Sequence, residues 1–196
     1  MSTPGEPSPW ICRWAHLIAP GGSVLDVAAG TGRHTRWLAA RGHAVTAVDR
    51  DGALLAPLAP LAETVVGDLE TGPWPFPGRV FAAVVVTNYL WRPLLSTLVA
   101  SLAPGGVLLY ETFARGNETV GRPARAEFLL APGELLDAAA GLRIVAYEDG
   151  FLSDPDRFVQ RLAAVREPAG TVAARYPLTP GASAHGRAPE IGGAPH

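Results

Sequence analysis

The chain is poor in cysteine: Cys12 stands alone among 196 residues, so no disulfide can close within it, and the sequence fits a reducing compartment. Charge is also scarce and balanced. Charged residues make up 17%, with 16 Lys and Arg against 18 Asp and Glu, giving a formal net charge of -2. A general affinity for nucleic acid needs clustered positive charge, so such a partner is disfavoured. No apolar run approaches the roughly 18 residues that a membrane-spanning helix requires. The opening MSTPGEPSPW lacks a basic stretch followed by an apolar one, so no secretory signal is read there. No zinc-type Cys/His cluster and no Ser-His-Asp array can be picked out, and no metal site is expected. With 48% hydrophobic residues, the chain is long enough for one domain with a sizeable core, and a cytoplasmic soluble protein is the expectation.

What is present is punctuated regularly. Ser8-Pro9 has the form of a helix start, with Trp10, Trp14, Leu17 and Ile18 on one face of a helix spanning about 8–19. Pro20-Gly21-Gly22 ends it. Strand patterns follow at 24–28, 44–48, 63–66, 80–87 and 107–111, separated by helical patterns at 31–41, 53–61 and 92–102. Val80 to Thr87 is apolar throughout, as suits a central parallel strand buried on both faces. Beyond an irregular Arg- and Gly-rich stretch at 114–126, a helix is expected at 132–140 and strands at 142–147 and 158–165. The link between these last two strands is too short for a helical crossover. The sum is a doubly wound, mostly parallel α/β sheet with an antiparallel hairpin at its edge. The domain is expected over 1–167, and the Ala/Gly/Pro-rich 168–196 as a flexible tail.

The segment from Val24 to Asp51, VLDVAAGTGRHTRWLAARGHAVTAVDRD, is the most informative. A β-branched run enters a tight turn of small residues, Ala28, Ala29, Gly30 and Gly32. The turn opens a helix, and the next strand ends in Asp49. A carboxylate about 20 positions after such a turn is the layout of a nucleoside-binding crossover, in which it accepts hydrogen bonds from ribose hydroxyls. The dinucleotide fingerprint G-x-G-x-x-G fails, because its third glycine falls on Thr35 or Arg33 depending on register. No phosphate-cradling G-x-x-x-x-G-K-[ST] run exists. A second acidic residue, Asp68, follows the third strand.

The series LDVAAGTG, AVDRD, VGDLE, VVVTNYL and LAPGGVLLYE resembles the class I S-adenosylmethionine-dependent methyltransferases, over nearly the whole chain to about Val165. Within them, GTGRHTRWLAARGHAVTAVDR, then GDLE, then FLLAPGELLDAAAGLRIVAYEDG is similar to the tellurite-resistance type and related small bacterial methyltransferases. The resemblance implies a Rossmann-like sheet of seven strands with the last antiparallel, and S-adenosyl-L-methionine as cofactor. It implies that Asp26 and the turn from Ala28 through Gly30 to Gly32 border the methionine part; Arg33, and less so His34, at the start of the next helix are candidates to contact its carboxylate. Asp49 would hold the ribose hydroxyls and Arg50 flank the adenine. Asp68 would accept from the adenine amino group, with Leu69 on the ring and Thr87 touching the cofactor through its backbone. Ala28 departs from the pattern, which often has Gly there.

The implied reaction is methyl transfer to a small molecule by in-line displacement, in which proximity and orientation do most of the work. A general base is required only for an acceptor protonated at neutral pH. Tyr89, Trp91 and Arg92 follow the fourth strand and are candidates to line the acceptor pocket, against the alternative of packing on the next helix. Trp10, Arg13 and Trp14 are candidates for a lid, against a helix packed on the sheet. His34 and Glu111 are candidate bases, against capping and structural roles. Arg115, Arg122 and Arg125 can form either an anion site or a solvated loop. Two other functions stand beside the first. One is nucleic-acid methylation, although Thr87-Asn88-Tyr89-Leu90 lacks the prolines of amino-methylating enzymes. The other is a non-catalytic S-adenosylmethionine-binding module.

Overall fold

A computed structural model describes residues 5–172 and 174–180. Its centre is one seven-stranded sheet in the order β3-β2-β1-β4-β5-β7-β6. The strands are β1 (Ser23–Val27), β2 (Ala44–Asp49), β3 (Glu63–Val66), β4 (Phe81–Thr87), β5 (Leu102–Phe113), β6 (Arg143–Leu152) and β7 (Arg157–Val165). The first five run parallel. β7 is antiparallel to both β5 and β6, and lies between them. The edge therefore belongs to β6, and the antiparallel strand of the hairpin sits one position in.

Alternation along the strands makes the two layers. Val84 and Val86 of β4 point to a cluster that includes Leu25, Val27, Tyr110 and Leu162. This layer is closed by α4 (Leu95–Ala100) and α5 (Glu134–Ala138), through Leu98 and Leu135. Val85 points the other way, to Val24, Leu109 and Ala163. That face is covered by α1 (Pro9–Trp14) and α2 (Arg33–Ala39), which bury Trp10, Ile11, Trp14 and Leu38. A short α3 (Gly52–Leu55) continues as a 3-10 turn, Ala56–Leu58, because Pro57 cannot donate to an α-helical ladder.

The elements depart from expectation at their ends. The helix expected at 92–102 starts as a 3-10 turn, Arg92–Leu94, around Pro93. Pro104-Gly105-Gly106 does turn, but within β5: Leu102 pairs with Phe81 and Val107 with Ala83, so the residues between bulge out. The hairpin link is shorter than the sequence indicates. β6 runs to Leu152 because Phe151 and Phe158 pair across the strands, with ring centroids 5.0 Å apart. Part of the stretch expected to be a flexible tail is packed. Tyr176 lies on the α1 side of the core, and His16 Nε2 is 2.9 Å from the Pro177 carbonyl oxygen. The rest of that expectation, at 173 and 181–196, falls outside the described residues.

Candidate functional site

The site forms where β1, β2, β3 and β4 end, on the carboxyl edge of the sheet. The turn after β1 carries Ala28, Gly30 and Gly32 at φ of 52°, 55° and 76°. Gly32 has a steric reason to be glycine: a Cβ there would run into the side chain of Leu58. Ala28 takes the left-handed conformation with a Cβ, at a cost of roughly 1–2 kcal/mol relative to glycine. This backbone path brings the Gly30 N–H to within 2.8 Å of Asp49 Oδ2, while Asp51 N–H donates to Asp49 Oδ1 at 3.0 Å. The carboxylate at the end of β2 is thereby clamped by two backbone amides. It lines an open cleft of about 290 Å³ together with Ala28, Arg50, Gly67, Asp68, Leu69, Glu70, Tyr89 and Phe128.

Asp68 is rigid for a local reason. It accepts from the Glu70 and Thr71 N–H groups at 2.9 and 3.2 Å, and from the Thr71 hydroxyl at 2.6 Å. The Thr71 hydroxyl and these amides hold its pKa below the usual aspartate range. Tyr89 contributes a wall. Its carbonyl accepts from the buried Tyr110 hydroxyl at 2.9 Å, and its own hydroxyl is buried with no hydrogen-bond partner among the described residues. Burial, with Glu70 and Asp68 nearby, pushes its pKa up.

Of the residues the sequence singled out, Ala28, Asp49, Arg50, Asp68, Leu69 and Tyr89 meet in the cleft. Others lie close by without lining it. Asp26 is 1% exposed under the turn, where the Thr35 hydroxyl donates to it at 2.6 Å; burial raises its pKa to about 6. Arg33 donates to the Glu6 carbonyl at 3.3 Å. Thr87 Oγ1 lies 3.4 Å from His34 Nδ1. The two other candidates for the acceptor pocket do not line this cleft. Trp91 is half-buried against the hydrophobic core. Arg92 is a strut: it grips Glu134 through both carboxylate oxygens at 2.6 and 2.9 Å, and donates to the Glu127 and Leu129 carbonyls at 2.7 and 2.9 Å. It holds down the segment that carries Phe128.

The candidate bases and the candidate lid form one buried network. His34 Nε2 accepts from Ser8 N–H at 3.0 Å, so the neutral ring carries its proton on Nδ1. Burial and the Arg33 charge depress its pKa to about 3. Ser8 caps α1 and donates its hydroxyl to Glu111 Oε1 at 3.1 Å. Glu111 pairs with Arg161 at 2.7 Å, and Arg161 with Glu148 at 3.1 Å. Trp10 donates its indole N–H to the Leu162 carbonyl at 3.1 Å, which seats α1 on the sheet face instead of over the cleft. Sequence reasoning missed Gly67, Glu70 and Phe128. The first and fourth residues of GDLE were available from the loop around Asp68. An apolar Phe in an otherwise polar, irregular stretch is the signal for the last. Among the described residues, no group of three His, Cys, Asp or Glu is placed to hold a metal ion. No helix there is long and apolar enough to cross a membrane.

The residues present fit S-adenosylmethionine: a clamped carboxylate faces the cleft, Leu69 offers an apolar surface, Asp68 stands beside it, and Tyr89 has an unmet hydroxyl. Comparison with known proteins agrees. Residues 24–106 match a family described as "Methyltransferase domain". No curated protein matches the sequence. Among solved structures, TehB from Haemophilus influenzae is 20% identical with a TM-score of 0.65, over 78% of this chain and 60% of that one. A TehB-like SAM-dependent methyltransferase from Corynebacterium glutamicum is 22% identical with a TM-score of 0.56, over 76% of this chain and 85% of that one. The [4+2]-cyclase SpnF is 16% identical with a TM-score of 0.60, over 81% of this chain and 78% of that one. At these identities the likeness is one of fold. The chain spans about 60% of the length of the Haemophilus TehB it resembles.

Proposed function

We propose that this chain, whose residues 24–106 match a methyltransferase-domain family, is a class I S-adenosylmethionine-dependent methyltransferase that transfers the cofactor's methyl group to a small-molecule acceptor. The observation that carries the proposal is the Asp49 clamp, a carboxylate fixed by Gly30 and Asp51 amides on the wall of the cleft. Bound S-adenosylmethionine supplies a sulfonium methyl already activated for in-line attack. The chain's own task is positioning. Asp49 fixes the ribose, while Leu69 and the Asp68 loop confine the base. The small residues Ala28, Gly30 and Gly32 let backbone approach closely.

The two candidate bases are engaged elsewhere. His34 Nε2 already accepts a hydrogen bond and stays neutral at physiological pH, and Glu111 is ion-paired with Arg161. An acceptor that needs no enzyme base, such as a thiolate, an oxyanion or a metalloid anion, fits this arrangement best. The net charge of -2 and the lack of prolines at Thr87–Leu90 favour a small molecule over nucleic acid.

Calorimetry with S-adenosylhomocysteine tests the donor, and release of that product with thiol, oxyanion, amine and metalloid acceptors tests the transfer. The parent chain binds S-adenosylhomocysteine. Asp49→Ala loses about a hundredfold, corresponding to two hydrogen bonds to a charged group at roughly 1.5 kcal/mol each. No binding at near-millimolar product, with Asp49→Ala indistinguishable from the parent, would overturn the proposal.

A further inference from the structure

Tyr89 is the residue whose chemistry the preceding reading leaves open. β4 ends at Thr87, and Asn88 at φ 54° turns the chain sharply. Tyr89 follows that turn. It joins Asp49 and Arg50 from the end of β2, and Asp68 and Glu70 from the loop after β3, in lining the same cleft. Trp91 and Arg92, close to it in sequence, do not line the cleft, and Arg92 is bound to Glu134. The Tyr89 backbone cannot follow them, since its carbonyl is pinned by the Tyr110 hydroxyl.

The Tyr89 hydroxyl is buried and makes no hydrogen bond within the described residues, although Asp49, Asp68 and Glu70 line the same cleft. A buried hydroxyl without a partner is costly, and each such group in a folded protein calls for an explanation. A neutral phenol is a ready donor. The purine ring nitrogens and ribose oxygens of a nucleoside are acceptors, and the residues around Tyr89 are the ones assigned to that part of the cofactor. We propose that Tyr89 is a cofactor-recognising residue, its hydroxyl donating a hydrogen bond to the nucleoside of S-adenosylmethionine, and that it is not part of the acceptor pocket. The inference rests on the methyl-donor reading above.

The test is Tyr89→Phe, which keeps the ring and removes only the oxygen. Binding of S-adenosylhomocysteine and of methylthioadenosine, which shares the nucleoside but lacks the amino-acid end, is measured for parent and variant together with melting temperature. Without added compound, the variant melts at or above the parent temperature, because an unmet buried hydroxyl has gone. Both compounds bind the variant about fivefold more weakly, the worth of one neutral hydrogen bond. Equal affinity in parent and variant overturns the role of Tyr89 while leaving the methyl donor in place. A loss seen with S-adenosylhomocysteine but not with methylthioadenosine also overturns it, by moving the contact off the nucleoside. Failure of the parent to bind either compound removes the donor reading and this inference with it.

Discussion

Asp26→Asn should stabilise the domain at neutral pH and have little effect near pH 4. Asp26 lies in β1, just before the glycine-containing turn, with 1% of its surface exposed. Burial lifts its pKa to about 6, even though the Thr35 hydroxyl favours the charged form. In the unfolded chain an aspartate titrates near 3.9. Between these two values the folded protein holds a proton that the unfolded chain has released, so stability falls as pH rises through the interval. Two pKa units at about 1.36 kcal/mol each give a loss of roughly 3 kcal/mol, complete by about pH 7. Asparagine retains an acceptor for Thr35 and has nothing to ionise. Its amide hydrogens must be accommodated, which lowers the expected gain to about 1–3 kcal/mol.

Urea unfolding of parent and variant, followed by tryptophan fluorescence from about pH 4 to about pH 7.5, measures this difference directly. His34 sharpens the test because it titrates in the opposite sense. Its folded pKa of about 3 lies below its unfolded value, so the unfolded chain binds the extra proton and stability rises with pH up to about 6.5. In the parent the two slopes oppose each other between about pH 4 and pH 6 and flatten the profile. In the variant the rise due to His34 stands alone. A difference between the two proteins that is constant with pH, or that shrinks toward neutrality, would refute the burial argument.

Two further substitutions separate site geometry from framework. Gly32→Ala places a Cβ against Leu58 in a left-handed turn; a loss of about 1–3 kcal/mol in urea unfolding is expected, with weaker S-adenosylhomocysteine binding, and unchanged values would show that the turn relaxes freely. Arg92→Ala removes the strut to Glu134 and the 127–129 backbone. Amide exchange should speed up around 127–134 and stability should drop by about 1–2 kcal/mol, whereas a change confined to acceptor kinetics would return Arg92 to the acceptor pocket.

The fold was legible wherever local signals carry it. The β-branched runs, the Gly-rich turn after β1, Ser8 as the cap of α1 and the short link between the last strands all act within a few residues, and each marks its element. Asp49 and Asp68 were legible for the same reason, being the residues at which strands stop. What sequence could not show was long-range commitment. Nothing near Arg92 indicates that its guanidinium is bound to Glu134, 42 residues away. Nothing near Trp91 separates a cleft wall from a core residue, since both uses want an aromatic. His34 and Glu111 had the right chemistry for a base. Their partners Ser8 and Arg161 come from opposite ends of the domain, and only the three-dimensional structure shows those lone pairs to be in use.

The seating of α1 has a consequence for how the chain is made. Ser8 and Trp10 find their partners 103 and 152 residues later, at Glu111 and Leu162. During synthesis at about 5–20 residues per second, the first helix therefore waits roughly 8 to 30 s for the strand that buries it. Through that interval Trp10, Ile11 and Trp14 lack Ala163 and Val165, the part of their cluster that β7 supplies. Ser8 can meet His34 and Glu111 once β5 exists, but the Trp10 indole has its acceptor only with β7, which lies between β5 and β6. The hairpin thus supplies the last of the partners that seat the first helix.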